Sequence, residues 1–216
     1  GVIYSNYESG GQNQVAACVN WDDFKAADRN TNAPKVILRN GALSSNVSAM
    51  TVYNNSDSSS STLYIGTERG RLFKVEDANS YTSSTTTGGV TTLTSDAKWT
   101  ILTGNEFLGS ISDIEFGKSD QEIFVTFHNY GVKNIFYSSD GGANWNSKDG
   151  DLPNIPVRAI LQNPLIEDEV IIGTELGVWF TNNFSSDSPS WKQANAGMKD
   201  LRVTDMDLRK GDNKVF

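Results

Sequence analysis

Apolar residues return along this chain in a fixed six-residue figure. Val47-Ser-Ala-Met-Thr-Val52, Ile111-Ser-Asp-Ile-Glu-Phe116, Val157-Arg-Ala-Ile-Leu161 and Val203-Thr-Asp-Met-Asp-Leu208 are all apolar at the first and fourth places. Three are apolar at the sixth, where the copy from Val157 has Gln162 and uses Leu161 instead. Small or polar residues in between predict a strand buried mainly on one face. A second strand follows each copy: Leu63–Thr67, Ile123–Phe127, Val170–Thr174 and Val215–Phe216. A third comes at Leu72–Val75, Ile135–Ser138 and Val178–Thr181. The fourth opens on a tryptophan: Trp99–Leu102, Trp145–Ser147 and Trp191–Gln193.

Trp99, Trp145 and Trp191 stand 46 residues apart. Four short strands in that period predict an all-β fold, a β-propeller of four-stranded antiparallel blades. The blades are 45–108, 109–154 and 155–200, with 201–216 opening the next and 1–44 a half blade with a loop insertion. Gly1–Asn6 reads as the third strand of that half blade and Lys35–Leu38 as its fourth, with Lys35 at the tryptophan position. On this reading the ring is partial, and its open edges call for further blades of the same chain or a partner chain. Ser80–Ser95 is too polar for a core of its own and predicts a protruding loop. Ser58–Ser61 lengthens the turn before Leu63, and Asn20–Asn32 predicts one helical turn.

Composition narrows the partners. The 18 basic residues are scattered through a chain of net charge -8, which does not fit nucleic acid. No apolar run is long enough for a membrane-spanning helix, so direct membrane insertion is not expected. Cys18 is the single cysteine, so no intrachain disulfide can form. With so much Ser, Thr and Asn, that leans toward a bacterial exported protein, extracellular or on the outer cell surface.

Ser138-Ser-Asp-Gly-Gly-Ala-Asn-Trp145 joins a third strand to a fourth. It resembles the Asp-box, Ser/Thr-x-Asp-x-Gly-x-x-Trp, at every defined position: Ser138, Asp140, Gly142 and Trp145. The short Asp carboxylate can accept backbone N–H groups in the turn, Gly tolerates positive φ, and Trp covers the turn with an apolar face. Thr181–Trp191 reads as a degenerate box with a longer turn through Asp187 and Pro189, and the copy before Trp99 has lost the motif. With the 46-residue period, the chain resembles Asp-box (BNR-like) repeat propellers over 45–216, and only weakly over 1–44. That family includes sialidases, xyloglucan-degrading glycosidases, sortilin-type ectodomains and a photosystem assembly factor. Gly173-Thr-Glu-Leu-Gly-Val-Trp-Phe-Thr-Asn182 resembles its exported Bacteroidetes members, which carry a secretion-sorting tail of the type IX kind.

A sialidase would need an arginine triad, and no three of Arg29, Arg39, Arg69, Arg71, Arg158, Arg202 and Arg209 fall at equivalent blade positions. Asp113, Asp205 and Asp207 lie on first strands, which in a propeller line the central channel; they read as solvated channel walls. His128, the only histidine, reads as a turn residue and Cys18 as buried filler. Asp149-Gly-Asp151 and Asp120 offer loop oxygens to calcium, without a calcium-loop pattern. The expectation is therefore no catalytic, cofactor or metal residue, and a non-catalytic binding or scaffold module contacting glycan or protein through the loops of one face. The alternative is an endo-acting glycoside hydrolase whose carboxylates lie partly outside this stretch. Exposed aromatic rows would favour the enzyme, and Trp21 and Tyr81 are the clearest candidates.

Overall fold

The computed structural model of the chain describes residues 3–9, 11–18, 35–53, 61–87, 90–194, 197, 201–209 and 214–216. The fold is all-β, with no helix among the described residues. Ser58, Trp21 and the helical turn expected over Asn20–Asn32 lie outside them.

The chain opens with β1 (Ile3–Ser9), β2 (Gln12–Cys18) and β3 (Lys35–Leu38), paired antiparallel in that order. Next come β4 (Val47–Tyr53), β5 (Thr62–Thr67) and β6 (Leu72–Glu76), then a hairpin of β7 (Tyr81–Thr87) and β8 (Val90–Ser95), then β9 (Lys98–Ile101). β4-β5-β6-β9 is one four-stranded antiparallel sheet. A second is β10 (Ile111–Phe116), β11 (Ile123–Phe127), β12 (Ile135–Ser138) and β13 (Asn146–Ser147). A third is β14 (Val157–Gln162), β15 (Val170–Thr174), β16 (Gly177–Thr181) and β17 (Lys192–Gln193). A ribbon of β18 (Leu208–Arg209) and β19 (Lys214–Val215) closes the chain. Three such meanders in a row are consistent with the blades of a propeller-like fold.

The strand patterns have a packing reason. β11 is buried at every position, because sheets lie against both of its faces. Ile123, Val125 and Phe127 join Tyr64 and Leu72 of the sheet before, while Phe124 joins Val157, Ile160 and Ile172 of the sheet after. Hence the second strands read as continuous apolar runs, where a half-exposed strand would alternate. Gly66 and Gly173 let the next sheet approach closely. A Cβ there would sit 2.6 Å from Ile111 Cγ2 and 2.6 Å from Val203 Cγ1 respectively. The middle sheet carries Thr126 at that place and joins its neighbour by hydroxyls instead. Ser112 Oγ donates to Val157 O at 2.7 Å and lies 2.9 Å from Thr126 Oγ1.

Three features depart from the sequence reading. Ser80–Ser95 is not a loop: β7 and β8 pair, and β8 runs parallel to β3, which extends the N-terminal sheet to five strands. Runs of Thr and Ser satisfy a ladder through their backbone, and β-branched side chains favour it even without a core to face. Ile3–Ser9 stands two strands inward from Lys35–Leu38, so Gln12–Cys18 holds the place expected of Gly1–Asn6. Finally, 203–207 does not form a regular strand; the ladder starts where Asp207 and Phe216 exchange backbone hydrogen bonds. Asp205 and Asp207 draw the N–H groups of Met206 and Leu208 onto their own carboxylates at 2.8 and 2.7 Å, which competes with strand pairing.

Candidate functional site

The turn after β12 is built on Ser138 and Asp140. Ser138 Oγ donates to Asp140 Oδ1 at 2.8 Å and accepts Gly142 N at 2.8 Å. Asp140 takes Asn144 N on Oδ1 at 2.8 Å and Asn144 Nδ2 on Oδ2 at 2.7 Å. These donors hold its carboxyl below the usual carboxylate range, the Asn144 side chain most of all. Gly142 has φ +90°, and Trp145 sends its indole N–H to Leu102 O at 2.7 Å. The Ser138 hydroxyl and both Asp140 carboxylate oxygens are spent on the turn itself.

The sibling turns repeat the device with other residues. After β16, Thr181 Oγ1 donates to Asn183 Oδ1 at 2.7 Å, and that oxygen accepts Ser190 N at 3.0 Å. Asn183 therefore does there what Asp140 does, a role sequence reading assigned to no residue, although Thr181-x-Asn183 has the spacing of Ser138-x-Asp140. After β6, Asp77 pairs with Lys98 at 3.4 Å, again reaching the residue before the tryptophan. Val75 replaces the hydroxyl residue in that copy. All three tryptophans are in register: Trp99 faces Val75, and the pairs beside Trp145 and Trp191 extend to Ser138 and Thr181.

The inner strands β4, β10 and β14 pack on one another. Asp113, partly buried on β10, accepts Ile160 N from β14 on Oδ2 at 3.0 Å. Its carboxyl is pushed up to about 7, chiefly by burial and next by Glu115 on the same strand face; the Ile160 and Ile114 amides oppose the shift. Asp205 and Asp207 are exposed. Glu115, Glu167 and Asp207 line a cleft of about 560 Å³ where the first strands end, together with Tyr53, Gln162 and Asn163.

A different chemistry gathers where the first strands begin. Each of β4, β10 and β14 has a bulge after its first residue, between Val47 and Ala49, Ile111 and Asp113, and Val157 and Ala159. A bulge re-aims the extra side chain. In β14 that residue is Arg158, whose Nε and Nη2 reach Glu175 Oε1 at 2.8 and 2.5 Å. His128 Nε2 lies 3.1 Å from the same oxygen. Burial would raise the Glu175 carboxyl, but hydrogen bonds from Arg158 and His128 hold it below its ordinary value. His128 is thus a turn residue that links two sheets.

On the turns of this end Leu108, Tyr130, Leu176 and Leu201 stand 61%, 64%, 47% and 67% exposed, while Leu165 and Ile166 are exposed on the turn between β14 and β15 at the other. They come from the turns of successive sheets at the same end. The turns interlock: Gly70 packs on the Phe107 carbonyl, Asn129 accepts Ser110 N at 2.6 Å, Asn154 accepts Gly131 N at 2.6 Å, and Val203 N donates to Thr174 O at 2.9 Å. Leu108, Val132, Lys133, Leu152 and Pro153 border a shallow groove of about 580 Å³. Arg69, Lys133 and Arg202 are exposed on this end, with Glu68 and Glu106 among them. The opposite end, at Glu115, Asp120, Glu122, Glu167, Asp168, Glu169 and Asp207, is acidic, with Lys118 and Arg209 among them. A chain of net charge -8 is therefore electrically polar along its inner strands.

No family model matches the chain, and no curated protein does. Among solved structures it is similar to the crystal structure of the Niastella koreensis GH74 enzyme, at 16% identity and a TM-score of 0.48. The match covers 88% of this chain and 28% of that one, so the chain spans about a quarter of the length of the protein it resembles.

The remaining sequence candidates are accounted for individually. Asp149 is buried and accepts Asn134 N and Ile135 N, while Asp151 Oδ1 accepts Trp191 N at 2.6 Å, so these loop oxygens serve the backbone. Asp120 lies 3.7 Å from Lys74. No group of three or more His, Cys, Asp or Glu is placed to hold a metal among the described residues. Cys18 closes β2. Tyr81 is 52% exposed at the start of β7.

Proposed function

We propose that the chain is part of an Asp-box β-propeller that serves as a non-catalytic binding or scaffold module of an exported or cell-surface protein. Its contact face is the end at which the first strands begin. One observation carries this reading: Leu108, Tyr130, Leu176 and Leu201 are exposed together on interlocked turns of that end. Four large apolar side chains from separate turns cost free energy in water unless a partner covers them. The Arg158–Glu175–His128 cluster beneath them is satisfied internally and gives the face a rigid floor. The Ser138–Trp145 turn supports the reading as structure, since its polar groups are consumed locally.

The test is affinity electrophoresis through gels containing neutral polysaccharide, acidic polysaccharide or polypeptide, run beside a reducing-end assay. Retardation without release of reducing ends, weakened by Tyr130→Ala and unchanged in Glu167→Gln, is the expected result. Retardation indifferent to Tyr130 would remove this face from the proposal.

A second reading, a glycoside hydrolase, is favoured by Asp113. Asp113, a carboxyl pushed up to about 7, has a second carboxyl group, Glu115, two residues along the same strand, and a carboxyl held protonated near neutral pH is the acid that glycoside hydrolysis uses. Release of reducing ends that disappears in both Asp113→Asn and Glu115→Gln would replace the binding reading with this one.

A further inference from the structure

Two features of the loop end that we assign to binding together select a partner class. Its exposed apolar side chains are mainly leucines: Leu108, Leu176 and Leu201 beside Tyr130. A branched aliphatic side chain offers no flat face on which a sugar ring can lie. It fits other aliphatic and aromatic side chains, so the apolar element is suited to protein. Between the leucines stand Arg69, Lys133 and Arg202, and no carboxylate among the described residues pairs with any of them. Arg202 is felt by Glu175 only through its field. Arg158, by contrast, is already committed to Glu175.

The whole chain is acidic and its other end strongly so, which sets the direction of approach. An anionic partner is repelled by the end bearing Glu115, Glu167 and Asp207 and drawn to the end where Arg69, Lys133 and Arg202 outnumber the exposed Glu68 and Glu106. Leu108 and Lys133 border the same shallow groove, with Glu106 at its rim and Asp149 turned to the Asn134 and Ile135 amides, so an apolar anchor and a charge contact lie within reach of one short segment. We infer that this end takes an acidic polypeptide segment carrying leucine or aromatic side chains, with the carboxylates on Arg69, Lys133 and Arg202 and the apolar side chains over Leu108 and Tyr130. The inference rests on the binding reading above and narrows it from glycan or protein to protein of one charge.

Random poly(Glu,Tyr) copolymer serves as the probe, with poly-glutamate, polygalacturonate and neutral xyloglucan as comparisons, all titrated against the full chain by microscale thermophoresis at low and physiological salt. Poly(Glu,Tyr) is expected to bind, and poly-glutamate to bind several-fold more weakly because it lacks the apolar anchor. Polygalacturonate is expected to match poly-glutamate at best, and xyloglucan not to bind. Leu108→Asp with Tyr130→Asp should weaken poly(Glu,Tyr) about tenfold, and Arg69→Gln with Lys133→Gln by a similar factor that vanishes at high salt. Glu167→Gln should leave it unchanged. The Arg69 and Lys133 side chains are exposed and pair with no carboxylate among the described residues, so that double variant is expected to fold even where the first does not. Binding of either polysaccharide in preference to poly(Glu,Tyr), lost with Tyr130, would overturn the protein partner and keep the face. Poly(Glu,Tyr) binding that ignores both double variants, or no binding of any probe, would overturn the inference and the face together.

Discussion

Trp145 donates its indole N–H to the carbonyl oxygen of Leu102 at 2.7 Å, which ties the outer strand of one sheet to the end of the outer strand before it. Trp191 makes the same bond to Lys148 at 3.0 Å, across the same 43-residue separation. The bond leaves the sheet that makes it, so it is a clasp between repeats. Trp145→Phe keeps an aromatic ring and strands the Leu102 carbonyl, and should lower stability by about 1 kcal/mol. Trp145→Ala also opens a cavity beside Phe107 and Phe136 and should cost about 3–5 kcal/mol. Urea unfolding of the two variants separates the clasp from the packing.

Gly66 and Gly173 are tested by adding one methyl group. In each, the new Cβ would fall 2.6 Å from a β-branched side chain of the next repeat, and neither Ile111 nor Val203 can yield without moving its backbone. Gly66→Ala should destabilise by about 1–3 kcal/mol. Gly131, which has open space around it, pays only for its φ of +74°, so Gly131→Asn should be tolerated within about 1 kcal/mol. Equal effects at Gly66 and Gly131 in thermal melts would refute the close-approach account.

Asp113 makes stability depend on pH in an unusual direction. Its folded-state pKa, about 7, lies above the ordinary carboxyl value, so the folded chain holds a proton that the unfolded chain has released. The stabilisation is full below the unfolded pKa and is lost as pH rises through about 7. Asp113→Asn keeps an acceptor for the Ile160 amide and removes the ionisation. The variant should gain about 1–3 kcal/mol relative to the parent between pH 5 and pH 8, less than the full shift implies because the carboxyl keeps some access to water. Guanidinium unfolding at the two pH values reads this directly, and a pH-independent difference would rule it out.

Much of this architecture was legible because each repeat obeys a local rule. The apolar first and fourth places of the hexads mark residues that meet neighbouring sheets, as with Ile111 and Ile114. The tryptophan spacing marks strand register. Tyr81–Ser95 was illegible as a hairpin because Thr and Ser carry no in-and-out hydrophobic alternation, and its parallel pairing reaches back to Lys35–Ile37, far outside any local window. Asn183 is masked in the sequence by Asp187, whose carboxylate inside the longer turn has the expected chemistry, whereas hydrogen bonding selects the residue two past the strand. The loop-end face could not be read from spacing at all. Leu108, Tyr130, Leu176 and Leu201 are unremarkable singly, and only the packing of successive sheets gathers them.

The turn after β12 offers the sharpest separation of structure from binding. Asp140 receives the Asn144 amide on one oxygen and the Asn144 side chain on the other, and its sibling Asn183 receives Ser190 N with an amide oxygen alone. The charge is therefore dispensable while the acceptor is not. Asp140→Asn should retain the turn and a melting temperature close to the parent's, whereas Asp140→Ala strands the Asn144 N–H and should melt lower. The parent carboxyl titrates below the usual range, so its contribution is present above the unfolded carboxyl pKa and lost as pH falls through the depressed folded value. The gap between parent and Ala variant should accordingly close in acid, while that between the Asn and Ala variants persists. Neither substitution should alter poly(Glu,Tyr) affinity, because the turn hangs at the outer strands and spends its polar groups internally. An Asp140→Ala variant with the parent's melting curve and lost binding would make this turn, and not the loop end, the contact site.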